Sequence, residues 1–136
     1  MILSVYTDGG SRGNPGISGF GVAIYNENKE VITKISKFLG VKTNNEAEYL
    51  GMIEALTWVC NHQSGISQVN FYSDSQLLVR QILGKYKVKA KNIKPLHQTI
   101  ISLLSQITPP CHFHEVLRQS NQLADELANQ AMDQKQ

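Results

Sequence analysis

Several things are scarce in this chain, and each scarcity removes a class of protein. Cysteine occurs only as Cys60 and Cys111. Two thiols without metal-motif spacing are too few for a disulfide framework, and they read as ordinary buried thiols. Long apolar runs are missing: nothing approaches the roughly 18 residues of a membrane span. Met1 is followed at once by a strand pattern instead of the basic and apolar regions of an export signal, so the expected address is cytoplasmic, with no membrane association. The four histidines lack zinc spacing. There is no internal repeat, no linker and no biased segment apart from a polar tail, Asp133 to Gln136. Charge of one sign is not in large excess either. The net charge of +2 is mild, although setting aside the four acids singled out below leaves a remainder more basic by four charges, which suits a phosphate-rich partner. What is present is ordinary for a globular protein: 41% hydrophobic and 18% charged residues in 136, expected as one domain over 1–136.

Taken in order, Ile2 to Thr7 is rich in apolar, β-branched and aromatic residues and reads as a strand ending at Asp8. Gly9 to Gly19, with five glycines and Pro15, reads as a loop. Phe20 to Tyr25 and Val31 to Leu39 read as two further strands of an antiparallel meander. Thr43-Asn44-Asn45-Glu46 has the form of a capping box opening a helix from Asn44 to His62. Its apolar stripe is Ala47, Leu50, Ile53, Leu56 and Cys60, and a second row, Met52, Ala55 and Val59, aims Glu48 inward from the first turn. Gln68 to Ser73 reads as a strand ending at Asp74, followed at once by a helix from Ser75 to Leu83. Five lysines, Lys85, Lys87, Lys89, Lys91 and Lys94, come next. Leu96, Ile100, Leu103, Leu104 and Ile107 mark an amphipathic helix closed by Pro109-Pro110. Cys111 to Leu117 is the last strand, with His112 and His114 as half-buried structural residues. A helix from Asn121 to Met132 carries Asp125 in its second turn. The order is βββαβααβα, an α/β fold with a mixed sheet and helices packed on it.

Each acid alone has a plain structural explanation: Asp8 in a turn, Glu48 complementing a helix dipole, Asp74 as an N-cap, Asp125 as a solvated helix residue. Jointly the explanation fails, because the chain has only four aspartates and three of them sit at comparable element ends. Four convergent carboxylates repel one another unless cations lie between them, so the set implies divalent metal held by oxygen ligands.

The segments Asp8-Gly-Gly-Ser-Arg-Gly-Asn-Pro-Gly, Thr43-Asn44-Asn45-Glu46-Ala47-Glu48, Ser73-Asp74-Ser75-Gln76 and Ala124-Asp125-Glu126-Leu127-Ala128 together resemble type 1 ribonuclease H, in family order and across nearly the whole chain. The resemblance implies the ribonuclease H fold: a five-stranded mixed sheet, three antiparallel strands then two parallel, with helices on both faces. It also implies an endoribonuclease that cuts the RNA strand of RNA/DNA hybrids by a two-metal-ion mechanism, leaving 5′-phosphate and 3′-hydroxyl ends, with two Mg²⁺ or with Mn²⁺. Asp8, Glu48, Asp74 and Asp125 take the places of the family's metal-binding catalytic acids. The substrate contacts implied are the backbone around Gly9, Gly10 and Ser11, with Asn14, Thr43, Asn44, Asn45 and Gln76, whose amides can meet 2′-hydroxyls and minor-groove base edges. Lys87 and Lys89, interleaved with Tyr86 and Val88, are expected to track the DNA backbone.

Two departures matter. The basic protrusion of the best-known bacterial members is absent or cut to Lys85–Lys94. The loop before the last acid reads Glu115-Val116-Leu117-Arg118-Gln119-Ser120-Asn121, with no mobile histidine. This is similar to the shorter, archaeal-like branch, where an arginine occupies the loop, and it nominates Arg118 as a catalytic group. No obligate protein partner is evident and a monomer is expected. A hybrid-binding module without catalysis, and a nuclease or strand-transfer enzyme acting on DNA, are the alternatives.

Overall fold

The computed structural model describes residues 1–135; Gln136, the last residue of the expected polar tail, lies outside them. The elements are β1 (Ile2–Gly13), β2 (Gly16–Tyr25), β3 (Val31–Lys42), α1 (Asn44–Cys60), β4 (Gln68–Ser73), α2 (Gln76–Ile82), α3 (Lys94–Ser105), β5 (Cys111–Glu115) and α4 (Gln122–Gln134), with a 3₁₀ turn at Arg118–Ser120. The expected order βββαβααβα holds. The sheet runs β3-β2-β1-β4-β5; the first three strands are antiparallel, while β4 lies parallel to β1 and β5 parallel to β4.

The largest departure from expectation is at the glycines. Gly9 to Gly19 is no loop: β1 continues through Asp8 to Gly13, and β2 begins at Gly16, in unbroken register from Ser4↔Tyr25 to Gly13↔Gly16. Asp8 is therefore held inside a strand. Gly13, at φ +111°, makes the turn. Gly9 and Gly21 have another purpose, because a Cβ at Gly9 would collide with the backbone at Ala47 in α1, and one at Gly21 with the Ala124 carbonyl in α4. The glycines let two helices touch the sheet backbone.

Those helices lie on opposite faces, as expected. Against one face α1 buries Met52, Ala55, Leu56 and Val59, which meet Leu3, Val5, Phe20, Val22, Ile24, Val69 and Phe71 from the sheet. The row expected to be secondary is thus the core row, while Leu50, Ile53 and Cys60 are only half-buried. Removing Leu56 to Ala would cost about 2–5 kcal/mol at such a site. The capping box is complete: Thr43 Oγ1 accepts from the Glu46 amide at 3.1 Å and Glu46 Oε1 accepts from the Thr43 amide at 2.9 Å. On the other face α4 covers β2, β3 and β1 with Ala124, Leu127, Ala128 and Ala131. It runs on to Gln134, so Asp133 and Gln134 are helical and not part of a tail.

Smaller corrections have physical reasons. The cap of α2 is Ser75, whose Oγ accepts from the Leu78 amide at 3.3 Å, which leaves Asp74 free of a capping duty. Cys60 and Cys111 are free thiols but half-buried, not buried. His112 and His114 are exposed because β5 is an edge strand and carries no cover over those positions.

Candidate active site

Where β4 stops, at the pair Thr7↔Ser73, β1 runs on alone on that side. The vacated edge is the site. Glu48, in the second turn of α1 and not the first, reaches into it: its Oε1 accepts from the Gly9 amide at 2.7 Å, and its Oε2 accepts from Ser73 Oγ at 3.4 Å. Asp74 enters directly from the end of β4. Asp8 comes from β1 itself, on the strand parity shared with Gly10, whose open side faces Met132 of α4. Ligand oxygens of Asp8, Glu48 and Asp74 lie within 4.8 Å of one another.

Asp125, in the first turn of α4 and not the second, lines the same cleft and stands close enough to add to the rise in the Asp8 pKa. It falls outside the close trio, and its Oδ1 is 3.7 Å from Arg118 Nη2.

The electrostatics follow from burial. Asp8 and Glu48 are each 8% exposed. Desolvation, then the charge of Glu48, pushes the Asp8 carboxyl far above the usual carboxylate range. Glu48 is raised by burial, an effect opposed by its bonds to Asp8, Gly9 and Ser73. Asp74 is raised by burial, with Asp8, Asn121 and the positive charge of Arg118 pulling the other way. Three acids that hold their protons against each other's charge are a poor set for bare water and a good one for hard cations. Carboxylate oxygens at this spacing fit Mg²⁺ or Mn²⁺, so the residues present suit the expected metal.

Around the acids is a cleft of about 890 Å³. Of the expected substrate residues, Gly9, Gly10, Ser11, Asn44, Asn45 and Gln76 line it, as does Arg118. Asn14 and Thr43 do not. Asn14 Oδ1 accepts from the Asn44 amide at 3.1 Å, fastening the β1–β2 turn to the start of α1, and Thr43 is occupied as the helix cap. Asn44 in turn accepts from the Ser11 amide at 2.7 Å. Lys87 and Lys89 stand away from the cleft and are exposed. Their connection is tied down by its apolar members, since the Tyr86 hydroxyl accepts from Arg80 Nη1 at 2.5 Å with the guanidinium over its ring, and Val88 packs on the core.

Several residues were not anticipated. Arg12 stands at the cleft, its Nη1 2.7 Å from Asp133 Oδ1 and its Nη2 donating to Asn129 Oδ1 at 3.2 Å. The signal for Asn129 was its i+4 spacing from Asp125, whose carbonyl it binds. Asn121 is buried and donates to the Thr7 carbonyl at 2.8 Å, while its own Oδ1 and Thr7 Oγ1 have no partner among the described residues. It joins the residue before Asp8 to the helix that carries Asp125.

A family model described as reverse transcriptase-like matches residues 6–131. A bifunctional protein of Mycobacterium tuberculosis is 36% identical over 134 residues, which is 98% of this chain and 36% of that protein. This chain thus spans about a third of the length of the first curated relatives it matches. A ribonuclease H of Chlorobium luteolum is 32% identical, covering 98% of this chain and 97% of its own. Among solved structures, LC11-RNase H1 in complex with an RNA/DNA hybrid superposes with a TM-score of 0.93 at 37% identity, over 98% of both chains.

Proposed function

Because this chain belongs to the ribonuclease H family, we propose that it hydrolyses the RNA strand of RNA/DNA hybrids as a metal-dependent endoribonuclease, leaving 5′-phosphate and 3′-hydroxyl ends. The observation that carries the reading is the convergence of ligand oxygens of Asp8, Glu48 and Asp74 within 4.8 Å of one another in a cleft that Asn44, Asn45, Gln76 and Arg118 also line.

Asp8 and Glu48 would hold the metal from the buried side, Asp74 and Asp125 from the open side. Divalent metal, when bound, supplies Lewis-acid stabilisation of the charge that builds on the scissile phosphate, as in two-metal nucleases. The chain's own residues do the rest. The Gly9 amide and Ser73 hydroxyl fix the Glu48 carboxylate so that it does not swing when charge changes beside it. Asn45 and Gln76 offer both donors and acceptors to a strand carrying 2′-hydroxyls, which distinguishes RNA from DNA without reading base sequence. Asn14 and Thr43 act one step back by holding the backbone of Asn44 and Glu46. Arg118 brings a guanidinium to the open rim beside Asp125, where it attracts a phosphate.

Cleavage of a hybrid, duplex RNA and duplex DNA is compared with Mg²⁺, with Mn²⁺ and with chelator. Metal-dependent cutting of the hybrid's RNA strand alone is the expected result. Binding of the hybrid without cleavage in either metal would reduce the protein to a hybrid-binding module, and cutting of duplex DNA would move it to a DNA-directed nuclease.

A further inference from the structure

On the face of the sheet that α4 covers, the covering is incomplete. Beside the start of α4 lies a second cleft of about 700 Å³, walled by the β2–β3 turn at Asn26, Glu27 and Lys29 and by Gln119 to Ala124 and Glu126. Its floor is aromatic. Tyr25, Tyr6 and Tyr72, one from each of three neighbouring strands, are followed on the edge strand by His114. Ring centroids are 5.6 Å apart for Tyr25–Tyr6, 4.6 Å for Tyr6–Tyr72 and 5.0 Å for Tyr72–His114, the last two pairs stacked.

Cross-strand packing accounts for rings side by side, but not for their polar ends. Elsewhere in the protein tyrosine hydroxyls are used: Tyr49 bonds Gln81 and Tyr86 bonds Arg80. Those of Tyr6, Tyr25 and Tyr72 take no partner among the described residues, although all three side chains are half-buried. Burial, with the neighbouring phenols, raises the pKa of Tyr6, and burial raises that of Tyr25, so both remain protonated donors.

We propose that this tyrosine-floored cleft docks an extended, proline-rich segment of a partner protein that carries a basic residue. A polyproline II strand has no internal hydrogen bonds, so its carbonyls are free to accept from a row of phenols, and its rings lie flat on aromatic faces. At about 3.1 Å per residue, roughly five residues of such a strand cover the four-ring row. The rim chooses between occupants. Glu27 and Glu126 stand there against the single Lys29, in a protein whose overall charge is +2. That balance attracts an arginine or lysine and repels the phosphates of a single-stranded nucleic acid, which aromatic platforms otherwise suit. Glu27 has one oxygen engaged by the Ile2 amide at 2.6 Å, so Glu126 is the freer carboxylate.

The test uses three probes: a hexaproline peptide ending in arginine, the same peptide ending in glutamate, and a ten-residue oligothymidylate. Binding to the full chain is followed by calorimetry and by tyrosine ring-proton shifts. The arginine peptide is expected to shift the rings of Tyr6, Tyr25 and Tyr72. Its affinity should fall about tenfold in the double variant Tyr6→Phe with Tyr72→Phe, which keeps the rings and removes two donors. Glu126→Gln should weaken it about threefold, and the glutamate peptide should bind more weakly than the arginine peptide by at least as much. Unchanged circular dichroism of the Phe variants shows that the fold is intact. No ring shift with either peptide up to about 1 mM, a concentration that detects ~4 kcal/mol of binding, overturns the proposal and leaves the row as packing. Ring shifts with oligothymidylate but not with the arginine peptide overturn it in favour of a nucleic-acid platform.

Discussion

Asp8 and Glu48 are 8% exposed and rise from the interiors of a strand and a helix, whereas Lys85, Lys87, Lys89 and Lys91 stand in solvent on a connection that is neither. Both regions are rich in charge of one sign, yet they are built on opposite terms. The acids are desolvated, fixed by hydrogen bonds and forced to share protons, so their geometry is decided before any ligand arrives. The lysines are exposed, and what is fixed is the path of the chain between them, through Tyr86 and Val88. Chemistry at a phosphate needs the first arrangement and grip along a duplex needs only the second.

The sharpest way to break the contrast is Asp8→Asn. It should lower hybrid cleavage by at least about a thousandfold, roughly 4 kcal/mol of transition-state stabilisation, while hybrid affinity changes little. Near-normal turnover would sink the metal-holding role. The same variant tests the electrostatics without substrate. Asp8 and Glu48 have folded-state pKa values raised above their unfolded ones, so the metal-free fold binds more protons than the unfolded chain. Its stability should therefore be greatest below the unfolded carboxylate range, near pH 4, and decline as pH climbs toward the raised values. Asp8→Asn should flatten that decline and raise the melting temperature of metal-free protein at neutral pH, with ~1 kcal/mol worth about 3–5 °C at this size. Mg²⁺ should do the same for the wild type and not for the variant.

Arg118→Ala lies between the two regimes, exposed yet beside the acids. It is expected to cost about tenfold in turnover, ~1.4 kcal/mol, with His114→Ala costing much less. A large defect in His114→Ala with a silent Arg118→Ala would reverse the assignment.

The smallest effect is expected in the lysines. Lys87→Ala with Lys89→Ala should lower the salt dependence of hybrid binding by about two units of slope and leave turnover at saturation nearly unchanged. An unaltered slope would mean that these side chains are only a solvated surface.

Much of this arrangement was legible in the sequence where a residue's duty is local. Thr43 and Glu46 announce a capping box through their own spacing, and Gln68 to Ser73 declares a strand by alternation. Duties set by distant chain were not legible. The glycines of β1 and β2 read as a loop because their reason for being glycine is the backbone of α1 and α4, far off in sequence. Asp74 looked like a cap until Ser75 proved to hold that post, and His112 and His114 looked half-buried because alternation cannot say that β5 is the last strand of the sheet. Asn121 gives no signal of its burial, since it shows only as a polar residue ahead of a helix.

The close approach at Gly9 and Gly21 bears on how this protein can be engineered. Exchanging glycine for alanine within regular structure is a common route to a hardier protein, because it narrows the freedom of the unfolded chain by ~0.4–1 kcal/mol. At these two positions the gain is overtaken, since the added methyl group would push Ala47 and Glu48 away from the strand at one and Ala124 and Ala128 at the other. Either shift would displace a carboxylate. A thermostabilisation campaign on this scaffold should leave both positions untouched and place its alanines elsewhere.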